Sequence, residues 1–165
     1  SLFRQELDLA MEEFQARGAA GVILDVNTGE VISMVSLPDF DPNNHDSLLG
    51  SVGFNSVTKG VYEMGSAFKL FTTAMALDTG TVGLKDGYDA SKPIKISRFI
   101  IKDYHGKNRW LTVPEILIHS SNIGAAKMSL DVGTKTQKYY LDQLGLLQPL
   151  NIELPEIGQP QYPSR

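Results

Sequence analysis

The chain has 165 residues, no cysteine and a formal net charge of −4. Its 42% hydrophobic and 21% charged residues suit one globular domain with a real core and argue against disorder. Without cysteine there is no disulfide, thiolate metal ligand or cysteine nucleophile. The acidic balance, with no cluster of Lys and Arg, speaks against nucleic acid as a partner. No apolar run reaches the ~18 residues that span a bilayer, and no signal peptide opens the chain. Any targeting segment or anchor is expected outside these residues.

In chain order, Phe3, Leu7, Ala10 and Phe14 recur at helical spacing with charged residues between them, and Gly18 offers a C-terminal stop. Two apolar segments, Ala20–Asp25 and Glu30–Val35, flank Asn27-Thr28-Gly29 and predict a β-hairpin, with Gly29 supplying positive φ. A helix laid on an antiparallel hairpin predicts an α+β fold. From Pro38 to Lys59 the pattern becomes a long, polar surface loop. Ser66–Asp78 follows, uncharged between Leu70 and Leu77 and apolar on every face, which predicts a buried central helix ended by Gly80.

Residues 81–110 predict irregular chain with short strands such as Phe99-Ile100-Ile101. Thr112-Val113-Pro114-Glu115 is a capping-box pattern opening a short helix to about His119. Ser120-Ser121-Asn122 interrupts it. Further helices are expected over Ile123 to about Leu130 and Thr136 to Leu144, the latter stopped by Gly145. The Pro-rich tail from 148 to 165 is expected to be extended or disordered.

Ser66 and Lys69 carry the first chemical signal. Three residues apart, they share one helical face. A lysine whose pKa is lowered by burial can be neutral near pH 7 and take a serine proton. Ser66 stands where a helix begins and unpaired N–H groups can hold an oxyanion, and Gly65 lets a substrate approach closely. On spacing alone the pair also fits a helix-start serine and a snorkelling surface lysine. Ser56-Val57-Thr58-Lys59 repeats the spacing in a polar loop and is assigned no role.

The second signal is Ser120-Ser121-Asn122, set where two helices meet. A hydroxyl there could relay a proton from Lys69, and the carboxamide could hold a substrate amide. The same triplet also fits a simple helix cap. His45 and His105 fall in polar loops and read as solvated, and His119 reads as a cap on helix carbonyls. With no pair of histidines at metal spacing and no G-x-S-x-G elbow, a Ser-His-Asp hydrolase is disfavoured.

The order of hairpin, long loop, Glu63-Met64-Gly65-Ser66-Ala67-Phe68-Lys69 and then Ser120-Ser121-Asn122-Ile123-Gly124 strongly resembles the class B penicillin-binding proteins. Gly60–Asp78 and Trp110–Met128 look most like the division-specific transpeptidases of that class, the penicillin-binding protein 3 type. The resemblance runs from Gly18 to about Leu147. It implies the penicillin-binding and serine β-lactamase-like fold, with the chain as the N-terminal portion of one transpeptidase domain.

The resemblance also implies roles. Ser66 would be the acylated nucleophile, Lys69 its general base, Ser120 the proton relay and Asn122 the holder of the acyl-donor amide. The substrate would be a peptidoglycan stem peptide ending in D-Ala–D-Ala, and β-lactams would acylate Ser66 as mimics. No metal or organic cofactor is implied. Implied partners are a membrane glycan polymerase and division proteins, at the periplasmic face of the bacterial inner membrane.

Two departures stand out. Met64 occupies a position where the family usually carries proline. The third family motif, lysine, Thr or Ser, then glycine on a strand, is absent; Lys135-Thr136-Gln137 lacks the glycine and opens a helix. The chain is therefore expected to be a fragment without the C-terminal strands, and a weak catalyst alone, since one missing oxyanion donor costs on the order of 10²–10³ in rate. The rival expectations are an acyl-serine hydrolase (a β-lactamase or D,D-carboxypeptidase), a penicillin sensor, and a structural domain that does not acylate.

Overall fold

The computed structural model of the chain describes residues 1–41, 43 and 53–161, so His45 and the middle of the expected loop lie outside the described residues. The chain divides into two units, one formed by 1–62 with 148–165 and the other by 63–147.

The first unit opens with helix α1 (Leu2–Glu13), whose first turn is capped by the Ser1 hydroxyl accepting from the Arg4 N–H. Phe3, Leu7, Ala10 and Met11 form its half-buried stripe, the spacing of a helix face laid on a sheet. The structure corrects two expectations here. Phe14 lies beyond the last turn and is exposed, and the chain turns at Gln15, with φ 51, rather than at Gly18. Gly18 instead allows close approach, since a Cβ there would fall 2.9 Å from the Leu37 carbonyl oxygen.

Strands β1 (Ala19–Leu24) and β2 (Val31–Leu37) pair antiparallel, with Ala19 opposite Leu37 and Val22 opposite Met34. The hairpin stops where the Asp25 carboxylate accepts from the Asn27 and Thr28 N–H groups, at 2.7 and 3.1 Å. Gly29, at φ 78, closes the turn by donating to the Asp25 carbonyl. Gly21 lies directly beneath α1. A Cβ added there would meet the Phe3 ring at 2.5 Å, so the bare backbone lets helix and sheet approach.

The described part of the expected surface loop has no strand or α-helix, but Thr58 is buried. Its carbonyl accepts from the Gly158 N–H at 2.9 Å, and Asn55 donates to Glu156. The tail through residue 161 has no helix or strand and is held to the rest of its unit by these hydrogen bonds.

The second unit holds the remaining elements. A 3₁₀ turn (Gly65–Ala67) runs into helix α2 (Phe68–Asp78). Two short ribbons follow, largely in the expected irregular region: β3 (Gly87–Asp89) pairs with β6 (Trp110–Thr112), and β4 (Ile94–Ile96) with β5 (Phe99–Ile101), both antiparallel. Helices α3 (Val113–Ile118), α4 (Asn122–Val132) and α5 (Thr134–Gln143) complete the unit. The capping box is present, with the Glu115 carboxylate accepting from the Thr112 N–H and hydroxyl at 2.9 and 3.0 Å.

The core gathers Met75 and Ala76 of α2, Leu111 of β6, Val113 and Ile116 of α3, and Ile123, Met128 and Val132 of α4. α2 packs against α3, α4 and α5. Only Thr73, Met75 and Ala76 of α2 are buried, however, and Leu70 is 62% exposed. The expected helix buried on every face is therefore corrected to one buried on a single face. Apolar sequence specifies what can be covered, while the described elements cover only the side facing α3–α5.

Candidate active site

Three side chains of the second unit converge. Lys69, in the first turn of α2, points its amine at the turn between α3 and α4. Its Nζ donates to the Ser66 hydroxyl at 3.2 Å, to the Ser120 hydroxyl at 2.9 Å and to the Ser120 carbonyl at 2.6 Å. The Ser120 hydroxyl in turn donates to the Ser66 Oγ at 2.9 Å. Ser66, Lys69 and Ser120 thus form a closed triangle of polar atoms, although Ser66 and Ser120 are 54 positions apart.

Local backbone geometry sets this arrangement. Gly65 has φ 54 and Ser120 has φ 50, both in the left-handed region. For glycine this costs little, and among the described residues nothing lies within 4 Å of where a Cβ would sit. For Ser120 the conformation is strained by ~1 kcal/mol. It aims both the carbonyl and the hydroxyl of one residue at the same amine. Non-glycine residues held in sparsely populated conformations cluster at functional sites.

The Lys69 pKa is lowered below the ordinary lysine value, first because burial penalises the charged form and despite the opposing Asp103 carboxylate. An ammonium has three hydrogens, and all three find acceptors here. Deprotonated, the amine keeps two donors and can turn its lone pair toward a serine hydroxyl. Ser66 itself is exposed, as a group that must meet an outside molecule has to be. The arrangement can deprotonate a serine beside open space.

Asn122 opens α4 and donates its carboxamide N–H to the Lys102 carbonyl at 3.0 Å, which fixes the direction of its side chain. Ser121, between the two residues expected to act, does neither of their jobs. Its side chain is buried, caps α4 by accepting from the Gly124 N–H at 3.0 Å, and donates to Asp103 at 2.8 Å. Asp103 also accepts from the Ile123 N–H at 2.9 Å. Sequence reasoning missed Asp103. Its signal was a lone carboxylate between Asp89 and Glu115 in a segment carrying Lys92, Lys95, Arg98, Lys102, Lys107 and Arg109. His119 is the C-cap residue of α3, with its backbone N–H bonded to the Glu115 carbonyl, and His105 packs edge-on against Tyr104. Lys135-Thr136-Gln137 lies within α5.

With this geometry in place, the chain belongs to the family of the penicillin binding protein transpeptidase domain, which it matches over residues 19–160. Among curated relatives it is 40% identical over 160 residues to the probable peptidoglycan D,D-transpeptidase FtsI of Caulobacter vibrioides, covering 97% of this chain and 27% of that protein. It is 29% identical to the peptidoglycan D,D-transpeptidase FtsI of Escherichia coli, covering 100% of this chain and 28% of that protein. Among solved structures, the transpeptidase domain of penicillin-binding protein 3 from Burkholderia pseudomallei superposes with a TM-score of 0.80 at 29% identity, over 94% of this chain and 42% of that one. The chain spans about a quarter of the length of these curated relatives. Its mixed architecture is part of the transpeptidase fold.

Proposed function

We propose that this chain carries the front part of the catalytic centre of a peptidoglycan D,D-transpeptidase of the division type, working through an acyl-serine intermediate. The observation that supports it best is the hydrogen-bonded triangle of Ser66, Lys69 and Ser120. Neutral Lys69 takes the Ser66 proton as Oγ attacks the penultimate carbonyl of a stem peptide ending in D-Ala–D-Ala. Ser120 passes its proton to the departing D-Ala nitrogen and is reprotonated by the Lys69 ammonium, which leaves Lys69 neutral. An amine from a second strand then attacks the acyl-serine, the bond to Ser66 Oγ breaks, and the proton lost by the amine returns through Lys69 to Ser66. Asn122 holds the donor peptide through its amide, and Gly65 leaves room for it. β-Lactams acylate Ser66 in the same way, their ring amide standing in for the D-Ala–D-Ala bond.

On this reading both units belong to one transpeptidase domain. The intact protein works at the periplasmic face of the inner membrane, beside a glycan polymerase and other division proteins. The test is to incubate the intact protein with a peptide ending in D-Ala–D-Ala, with and without an acceptor amine. Acceptor-dependent release of D-Ala with formation of the amide-linked dimer is expected. D-Ala release that ignores the acceptor marks a hydrolase instead. No release and no acylation marks a structural domain.

A further inference from the structure

Asp103 follows β5 and reaches the first turn of α4 with both carboxylate oxygens. One accepts the Ser121 hydroxyl at 2.8 Å and the other the Ile123 N–H at 2.9 Å. Charged acceptors make the stronger class of hydrogen bond, and Ser121 is only 1% exposed, so this link is shielded from water. It grips Ser121 and Ile123, the two residues around Asn122, and Ser121 directly follows Ser120. The neighbouring Lys102 carbonyl accepts the Asn122 carboxamide. Two successive residues of one strand exit thus hold three successive residues of the turn. Ser120 itself sits in a strained conformation, which persists only where surrounding structure over-determines it.

From this we infer that Asp103 is a positioning residue for the reaction, holding the Ser120 turn so that the Ser120 carbonyl and hydroxyl both meet Lys69. The inference rests on the reading of Ser66 and Lys69 as the acylating pair. Asp103 has a second effect through space. It is the charged group whose field acts on the Lys69 amine, opposing the desolvation that lowers its pKa. Ser66 and Ser120, which touch the amine, are uncharged. A single carboxylate therefore holds the turn that carries the proton relay and raises the pH at which the amine gives up its proton, against the larger effect of burial.

The two effects separate by substitution. Asp103→Asn can keep an oxygen on the Ile123 N–H only by turning its N–H₂ to the Ser121 Oγ, which reverses the Ser121 link, replaces two charge-assisted bonds by weaker neutral ones and removes the charge. Ser121→Ala breaks the hydroxyl link and leaves the charge in place. The measurement is the rate of acylation of the intact protein by a fluorescent penicillin across pH, with thermal unfolding to confirm that each variant is folded. Asp103→Asn is expected to lower the plateau rate by about 10- to 10²-fold, as small misplacements of reacting groups do, and to move the acid limb to lower pH. Ser121→Ala is expected to lower the plateau with the limb unmoved.

An Asp103→Asn profile with its limb at the wild-type position overturns the inference, because a brace without electrostatic reach leaves the limb where it is. If Asp103→Asn does not fold, a Ser121→Ala plateau equal to wild type overturns it. Wild-type protein that takes no label at Ser66 sinks the underlying reading. Labelled wild type with an unaltered Asp103→Asn profile sinks this inference alone.

Discussion

Ser120 presents two oxygens to the Lys69 amine, its carbonyl at 2.6 Å and its hydroxyl at 2.9 Å. The positive φ of Ser120 therefore ties a local strain to the placement of a reacting group, and the two can be measured separately.

Ser120→Gly relieves the left-handed conformation while adding freedom to the unfolded chain, effects of opposite sign that each run to about 1 kcal/mol. Its thermal stability is expected to stay close to wild type, and Ser120→Ala, which keeps the strain, is expected to be the less stable of the two. Both lose the relay hydroxyl, so both should acylate with penicillin more slowly by about 10²-fold or more. Unfolding curves and acylation rates on the same samples check this.

The lowered pKa of Lys69 fixes the sign of the pH response. The amine acts as a base only when neutral, so acylation should rise with pH through a midpoint below the ordinary lysine value. The stability effect runs the same way. Between the folded and unfolded pKa values the unfolded chain binds more protons, so stability rises with pH across that window. Lys69→Met is expected to abolish acylation and to flatten this component of the pH–stability curve, read by denaturation at a series of pH values.

Glu115 is held at a pKa of about 2, first by its hydrogen bond from Arg109 and then by those from Thr112. Its folded value is depressed, so its contribution to stability is present above the unfolded value and is lost as pH falls through about 2. Glu115→Gln should be less stable than wild type at pH 7. The gap should close as both proteins are acidified toward pH 2.

Gly124 faces α3 so closely that a Cβ would meet the Ile116 Cγ1 at 2.6 Å and Cδ1 at 2.8 Å. Ile116 is fully buried and has nowhere to move. Gly124→Ala is expected to cost about 1–3 kcal/mol by overpacking, and Ile116→Ala about 2–5 kcal/mol by cavity formation. The double variant should be less destabilised than the sum, because the new methyl enters the space that the isoleucine vacates.

Much of this was legible in the sequence where a local rule decides the structure. The hairpin followed from Gly29 and its flanking apolar segments, and the short helix before the Ser-Ser-Asn turn followed from Thr112, Pro114 and Glu115. Ser66, Lys69 and Ser120 were legible as candidates because their spacing and order resemble a known family. The burial of α2 was misjudged, since composition cannot reveal which neighbours are present to cover Leu70. Phe14 was misjudged because a stripe of apolar residues does not announce where its helix stops. Asp103 was missed for a different reason. Its one local mark is to be a lone carboxylate in a basic segment, and that mark does not reveal its partners Ser121 and Ile123, which lie 18 and 20 positions ahead.

The most direct test of the central claim is the mass of the intact protein after reaction with penicillin, followed by mapping of the modified peptide. One adduct on the peptide containing Ser66, absent from Ser66→Ala and strongly slowed in Lys69→Met, is the expected result. An adduct that persists in Ser66→Ala, or that maps to another serine, contradicts it.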